Sequence, residues 1–400
     1  MKLFRGLALG IAASLAFSAM PAYASAELIT LLPYAMENNA EEDESSGITL
    51  EQAFVLAARN NSSIDALHDS IVFIQQQRRS LAQDHDNAWR FGAGLTDLSA
   101  EMAMRGMRNI DASVVNAAAQ ARMIEVASHY LVLSNFDLIH ALEMDLAILR
   151  ERAMLQVVTL NHTELRNSLG LASNADLVSA RQDLQSVRAQ QRVLEVGLNA
   201  QYDALRHLLG LPRGRDLRIN HEANLDRRNI SMIVRNIEHY ADRKILGDPS
   251  IVILRRQLDV AQANYGRVQP WLQNTVAPQM AGQPINTQAN TTDRASMINA
   301  LNNASRELRD ATDDMRENIR QTYSQLRQLE EQRETLVIDL RRARDDYENA
   351  VVGLEAGTFT QHEVDAVRLA ILVAEGNLVV NALNYENLMF AFEFPFLLAR

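Results

Sequence analysis

The chain has 400 residues, of which 47% are apolar and 22% charged, and its formal net charge is -11. The apolar fraction is sufficient for a core and excludes a disordered chain. The acidic excess predicts no nucleic-acid partner, because phosphate neutralisation needs clustered Lys and Arg. With only 8 Pro and 16 Gly, an all-α chain of long helices is expected. The chain has no Cys, which excludes disulfides, thiolate metal sites and the acylated Cys of a lipoprotein.

The N-terminus has the pattern of an export signal. Lys2 and Arg5 precede an apolar run from Leu7 to Phe17, and small residues follow. This run is about half of the ~20 apolar residues that a membrane span needs, so residues 1–26 are predicted to be a cleaved signal peptide. Residues 27–47 are acidic and rich in turn formers, and they are expected to form a disordered leader.

The rest of the chain contains an internal repeat. Five residues recur 187 positions later, namely Gly170, Ser173, Asp176, Leu177 and Arg181 as Gly357, Thr360, Glu363, Val364 and Arg368. The pair Ser63-Ile64 recurs as Ser250-Ile251 with the same offset. This shared displacement predicts a duplication. We expect a first helical repeat at 48–212, a linker at 213–230 and a second helical repeat at 231–400.

Each repeat carries a heptad pattern. Residues from Leu177 to Leu208 and from Val364 to Phe392 step by alternating 3 and 4, and most are apolar. This spacing predicts coiled-coil helices. An earlier helix should run from about Ala295 to Val352, roughly 87 Å at 1.5 Å per residue. Its partner in the first repeat should run from about Asp111 to Ser168.

Capping signals predict where these helices begin and end. Thr49 and Gln52 predict a capping box at the start of a short helix over Leu50–Arg59. Gly170 and Gly357 fit helix C-caps with positive φ. Ser173 with Asp176, and Thr360 with Glu363, predict capping boxes that start the returning helices.

Five heptad positions carry polar residues, which are Gln191, Gln201, Thr322, Arg333 and Asn381. Each could fix helix register, as a buried Asn does in coiled coils, or face a water-filled lumen. The sequence leaves both alternatives open.

Several of these motifs resemble the TolC-like outer membrane efflux family. They are Ile48-Thr49-Leu50-Glu51-Gln52-Ala53 followed by Asn60-Asn61, the Gly-x-x-Ser/Thr-x-x-Asp/Glu-Leu/Val turns, and Leu208-Leu209-Gly210-Leu211-Pro212. The resemblance covers nearly all of the mature chain. It implies an exported homotrimer in the outer membrane or periplasm, with paired helical hairpins that form a tunnel. It also implies that the hairpin tips dock on a periplasmic adaptor and an inner-membrane pump. The tip residues are Gly170, Ser173, Asp176, Leu177, Gly357, Thr360, Glu363 and Val364.

The resemblance also implies membrane strands at about Asp84 to Asp111 and Gly266 to Asp293. A crossing strand needs ~9–11 residues of alternating polarity. Neither segment alternates, since 95–107 is typical of a helix and 282–292 is polar. We therefore expect a divergent member with little or no β-barrel. Trp89, Phe91 and Trp271 could form a remnant interfacial girdle, but packing residues are the favoured interpretation.

No pattern of catalytic residues is found. The nine His residues form no HExxH motif, and no Gly-rich phosphate loop or Gly-x-Ser-x-Gly motif occurs. Acidic residues near Asp313 and Asp345 alternate with Arg, as in solvated helix pairs. We therefore expect no enzyme, no cofactor and no metal site.

Two functions fit the sequence. The first is a subunit of a passive export conduit, favoured by the repeated turn chemistry. The second is a non-conducting structural or interaction coiled coil of the cell envelope, favoured by the missing strands.

Overall fold

The computed structural model describes residues 47–91, 97–212, 217–220, 223, 225, 229–273 and 287–398. Of residues 84–91, 97–105, 267–273 and 287–293 it describes the backbone alone. The predicted signal peptide at 1–26 and the predicted leader up to residue 46 lie outside the described residues.

Helices make up almost all of the described chain. Two short strands, nine α-helices and one 3₁₀ turn follow one another in this order: β1 (Ile48–Thr49), α1 (Leu50–Arg59), α2 (Ser62–Phe91), α3 (Asp97–Ser168), α4 (Asn174–Leu209), β2 (Ile219–Asn220), α5 (Ile230–Ile233), α6 (Ile237–Gly247), α7 (Pro249–Gln273), α8 (Thr287–Glu355), α9 (Gln361–Glu393) and the 3₁₀ turn (Pro395–Leu398). This confirms the predicted all-α fold with long hairpins in two tandem repeats.

The repeat is visible in the helix boundaries. Helices α6, α7 and α9 begin 187 residues after α1, α2 and α4, and α8 begins within three residues of the position expected from α3. The offset read from the turn residues therefore holds for three helices of a repeat and to within three residues for the fourth. The limits of the repeats at 48–212 and 231–400, with the linker at 213–230, stay predictions.

The two longest helices exceed their predicted length. Helix α3 has 72 residues and α8 has 69, so each is about 105 Å long at 1.5 Å per residue. They start earlier than predicted because they extend into the two segments where strands were considered. Within the described part of those segments the backbone is helical. The side chains of Trp89, Phe91 and Trp271 lie outside the description, so the girdle interpretation stays untested.

The strands of the described chain are β1 and β2, which pair in parallel with Ile48 opposite Ile219. This pair brings the start of the linker back to the start of the first repeat. Further along, Ile230 N donates a hydrogen bond to Glu330, and Arg333 donates to the Leu225 carbonyl at 2.6 Å. The linker thus connects the start of the first repeat to the middle of α8.

The hairpins lie side by side, with α3 joining the two repeats. Helix α3 packs against α1, α2 and α4 of its own repeat and against α7 and α9 of the other, while α8 packs against α6, α7 and α9. Three contacts show that α9 runs antiparallel to α3, because Asn387, Arg368 and His362 meet progressively later residues of α3. The main contacts leave α4 and α8 at the two edges of this layer.

Two apolar clusters hold the layer together at equivalent levels of the repeats. One surrounds Phe136 and Leu205, and the other surrounds Ile319 and Phe392, all of which are fully buried. Residues 205 and 392 are separated by the repeat offset. Helix α9 alone in the described chain has the length and composition of a membrane span. We assign no span to it, because it packs against α3 on one side and α8 on the other.

The structure gives the polar heptad residues three different environments. Asn381 and Thr322 are buried, and Asn381 donates to the Leu329 carbonyl at 3.2 Å across the α8–α9 hairpin. This contact fixes register and excludes Asn381 from a lumen. Arg333 binds the linker, whereas Gln191 and Gln201 are half-buried.

Candidate functional site at the hairpin tips

The first tip is the turn between α3 and α4. Gly170 has a φ of 74°, and the Leu171 amide donates to the Arg166 carbonyl at 2.7 Å. This is the bonding expected of a left-handed helix C-cap. Asn167 also donates to the Ala172 carbonyl at 3.0 Å, which closes the turn from the inside.

A capping box starts the returning helix at this tip. The Asp176 amide donates to the Ser173 hydroxyl at 3.1 Å, and the Ser173 amide donates to the Asp176 carboxylate at 2.8 Å. Two amides that the first turn of α4 would leave unpaired are thereby satisfied. The turn is closed entirely by local hydrogen bonds.

The second tip, between α8 and α9, repeats this construction. Gly357 has a φ of 72°, and Thr360 and Glu363 form the capping box, with the Thr360 amide 2.7 Å from the carboxylate. One feature is specific to this tip. A Cβ on Gly353 would lie 2.4 Å from the Phe359 ring, so the ring packs on the backbone where only glycine fits. Sequence reasoning missed Gly353 because its requirement comes from Phe359 folding back onto it.

The capping carboxylates have altered acidity. The Ser173 amide, and then its hydroxyl, hold the pKa of the Asp176 carboxyl below its usual value. The Thr360 amide and hydroxyl do the same to the pKa of Glu363. In both cases hydrogen bonds favour the ionised form. Each tip therefore presents a fixed negative charge at a helix N-terminus, where the helix dipole favours it.

The structure divides the eight predicted tip residues into two groups. Six of them form the exposed turns: Gly170, Ser173, Asp176, Gly357, Thr360 and Glu363. Leu177 is half-buried and Val364 is 4% exposed, because both start the heptad seams inside the hairpins. These two side chains support the turns and offer little surface to a partner.

Apolar side chains that sequence reasoning missed surround the turns. Leu165, Leu169, Leu171 and Val178 of the first tip, and Val352 and Phe359 of the second, are all at least 41% exposed. Leucine or valine next to a helix end reads equally well as core or surface, so the sequence offered no signal for this exposure. Apolar groups clustered at the end of a long hairpin form the kind of surface that a protein partner covers.

Contacts between the hairpins bring the two tips to the same end of the molecule. Arg368 binds Glu151 at 2.9 Å, which raises the pKa of Arg368. His362 Nε2 lies 3.3 Å from the Thr159 hydroxyl, and its ring meets the edge of His162 with centroids 6.1 Å apart. All three contacts join α9 to α3, so the two turns lie at the same end of the molecule. In the described part of the chain, no group of three or more His, Asp or Glu side chains is placed to hold a metal ion.

Comparison with known proteins finds similar structures but no relative by sequence. No protein-family model matches the chain, and no curated protein is similar to it. The outer-membrane channel OprN is similar in structure, with a TM-score of 0.63 and 14% identity over 94% of this chain and 96% of that one. The CmeC outer membrane channel of Campylobacter jejuni has a TM-score of 0.60 and 12% identity over 95% of both chains.

A third similar structure is the outer membrane protein VceC of Vibrio cholerae. Its TM-score is 0.59, with 11% identity over 87% of this chain and 95% of that one. These structural similarities extend over both hairpins, although the sequence identity to each channel is low. The chain therefore has the TolC-like fold of outer-membrane efflux channels.

Proposed function

We propose that this protein is a subunit of a homotrimeric, TolC-like export conduit of the outer membrane. The observation that carries the proposal is the pair of hairpins, each with a helix about 105 Å long, which lie side by side and turn at the same end through the same capping chemistry. A spacer would need length alone. Two matched turns at one end suit a tube whose end meets other proteins.

The edges of the layer support assembly into a closed ring. On α4, Val193 and Val196 are 73% and 70% exposed, and on α8, Ile338 is 48% exposed. The α4 edge and the α8 edge are different surfaces, so a contact between them is heterologous and closes only as a ring of copies. The number three comes from the resemblance to the TolC-like family.

The tips support docking on a periplasmic adaptor that works with an inner-membrane pump. Their exposed apolar side chains, led by Leu171 at 66% and Leu169 at 65%, would otherwise face water. The capped carboxylates of Asp176 and Glu363 add a fixed charge next to this apolar surface. We propose that the conduit itself is passive and has no catalytic role, and that the pump supplies the energy.

The conduit is tested by electrical recording. Protein extracted from outer membranes with detergent is added to a planar lipid bilayer, and single-channel currents are measured. We expect discrete conductance steps from wild-type protein. Membrane-extracted, fully helical protein that produces no current would contradict the conduit and would identify a non-conducting envelope protein instead.

Tip docking is tested separately by site-specific cross-linking from an introduced Cys, because the chain has no Cys of its own. Leu171→Cys and the control Gln190→Cys, an exposed position in the middle of α4, are made in the expressing cells. We expect Leu171→Cys to react with a bifunctional thiol-to-amine cross-linker and to yield a conjugate with one envelope protein of defined mass. Equal conjugates from both positions, or none from Leu171→Cys, would contradict docking at the tip.

A further inference from the structure

A groove of about 430 Å³ lies between α3, α8 and α9, far from the tips. Its polar lining consists of five side-chain amides and one phenol, contributed by Gln325, Gln328, Gln332, Asn384, Asn387 and Tyr130. Leu329 and Leu388 complete it with apolar surface. Its size falls in the range of sites that hold small molecules, which is about 300–1,000 Å³.

The groove opens on the face of the layer opposite the short helices. Glu393 of α9 lies beside Lys244 of α6, with the Lys244 amine 3.0 Å from the Glu393 carbonyl. Asn384 precedes Glu393 by nine residues, which is two and a half helical turns at 3.6 residues per turn. The two residues therefore point to opposite sides of α9. The groove occupies the side without α6, which is the side available to line a lumen.

Four of the amides are available to a ligand. Gln325, Gln328, Gln332 and Asn384 are exposed, and none has a side-chain hydrogen bond within the described part of the chain. Asn387 differs, because it accepts from the Ser134 hydroxyl at 2.8 Å and donates to the buried carboxylate of Asp137. Asn387 is thus fixed in place, with its amide bonded to the Asp137 carboxylate.

The lining carries no formal charge. A charged ligand would lose hydration on entering and would find no counter-ion. An amide offers both donors and an acceptor, so a set of amides suits a neutral solute with several hydroxyl or amide groups. The leucines and the Tyr130 ring suit the apolar part of such a solute.

The amides are not a remnant of the duplication. In the first repeat, the positions that correspond to the five amides carry Leu138, Ala141, Asp145, Gly197 and Ala200. One half of the molecule therefore has an amide groove where the other half has none. The first repeat therefore provides an internal comparison, because it has the equivalent helices without the amide side chains.

We propose that this groove binds neutral solutes that carry several hydroxyl or amide groups, and that it is a solute-contact site on the wall of the conduit. Its place in transport rests on the proposed function, whereas binding to the groove is a property of the chain alone. Three copies of the site would face one lumen in a homotrimer.

The probe for this test is N,N′-diacetylchitobiose, a neutral disaccharide with hydroxyl and acetamide groups. Its deacetylated form, a diamine that is cationic at neutral pH, is the matched charged probe. Binding to the full chain is measured by saturation-transfer NMR in a detergent without a sugar headgroup. We expect saturable binding of the neutral probe and none of the diamine.

Two variants locate the binding. Gln325→Leu and Gln328→Leu should each weaken binding of the neutral probe by about fivefold, because each removes a hydrogen-bonding amide. The control Gln190→Leu makes the same change at an exposed position of α4 and should leave binding unchanged. Helix content by circular dichroism is measured on all three, so that loss of binding is separated from loss of fold.

Three outcomes would overturn the proposal: no binding of the neutral probe, equal binding of the diamine, or equal weakening by Gln190→Leu. Each can be told apart from failure of the conduit, since single-channel recording is an independent measurement. Probe binding without current would support the groove as a binding site and contradict the conduit. Current without probe binding would support the conduit and contradict the groove as a binding site.

Discussion

Gly170 and Gly197 are the same residue type in opposite backbone conformations. Gly170 has a φ of 74° at the tip, whereas Gly197 lies inside α4, and a Cβ at either position would meet nothing within 4 Å. Because space is equal at the two sites, substitution by alanine reports the backbone alone. The pair therefore isolates the role of the left-handed cap.

We predict opposite effects of alanine at these two positions. Gly170→Ala should destabilise the protein by about 1–2 kcal/mol, because an L residue is strained at positive φ. Gly197→Ala should stabilise it by about 0.5–1 kcal/mol, because alanine is the better helix former. Urea denaturation of the two variants and the wild type measures both values. A neutral or stabilising Gly170→Ala would show that the tip does not hold this conformation.

The capping carboxylates predict a pH effect confined to the tips. Because the pKa values of Asp176 and Glu363 are lowered on folding, their stabilisation is present above the usual values of 3.8 and 4.5 and is lost as the pH falls further. Hydrogen-exchange protection of the first turns of α4 and α9 should therefore decrease as the pH is lowered from about 5 to about 3.

The first turn of α1 is the internal control for this experiment. Its capping box pairs Thr49 with Gln52, which does not titrate. Protection of α1 should stay constant over the same range after correction for intrinsic exchange rates. Equal loss in α1, α4 and α9 would mean global acid unfolding and would contradict the account of the caps.

At the scale of elements, local chemistry explains which parts of the fold could be predicted. The start of α1 and the two tips follow from caps within a few residues of each other, and the structure places them where the sequence predicts. The starts of α3 and α8 were predicted too late, because the segments before Asp111 and Ala295 carry no comparable cap. The hydrogen bond between Asp137 and Asn387 joins residues 250 positions apart, and no local pattern indicates it.

In the candidate site too, some residues could be predicted from the sequence and others could not. The turn residues were predictable because Gly170 and Gly357 sit in a repeated motif with defined capping roles. The exposed Leu171 and the buried Val364 were not distinguishable, since both are apolar residues near a helix end. Their difference arises from the packing of α4 on α3 and of α9 on α8, which a single sequence does not display.

Glu330 connects the linker to the hairpin of the second repeat. It is 7% exposed, and it accepts hydrogen bonds from the Ile230 amide and, at 3.2 Å, from the Tyr385 hydroxyl. Glu330→Ala would leave the buried Ile230 amide without this acceptor and would remove the bond from the Tyr385 hydroxyl, at a cost of about 1–3 kcal/mol. We predict lower stability in urea and faster proteolysis within residues 213–230.

The neighbouring residue provides the matched control. Glu331 is exposed on the same helix, so Glu331→Ala should change stability by no more than about 0.5 kcal/mol. Proteolysis of the linker should then match that of the wild type. If both variants behave alike, the linker is not held by Glu330.

At the scale of the whole molecule, the two repeats share a design and differ in detail. Both contain a capped tip and an apolar cluster at the same level. The second repeat adds the amide groove and the Arg368 contact to Glu151 across the hairpins. Duplication thus explains the scaffold, and divergence after duplication explains the features that distinguish one wall of the proposed conduit from the other.

The edges of the layer decide whether copies of the chain can join into a ring. Val196 lies on α4, which forms one edge, and is 70% exposed. Met154 is 53% exposed but lies on α3, which is flanked by helices on both sides. A carboxylate at Val196 would be buried without a partner if copies join through this edge, whereas a carboxylate at Met154 would remain in water.

The most direct test of the central claim is the native mass of the detergent-extracted protein and of its Val196→Glu and Met154→Glu variants. We predict three copies for the wild type and for Met154→Glu, and single helical protomers for Val196→Glu. A wild type that is monomeric after extraction, or a Val196→Glu variant that assembles as the wild type does, would contradict a ring closed through the α4 edge.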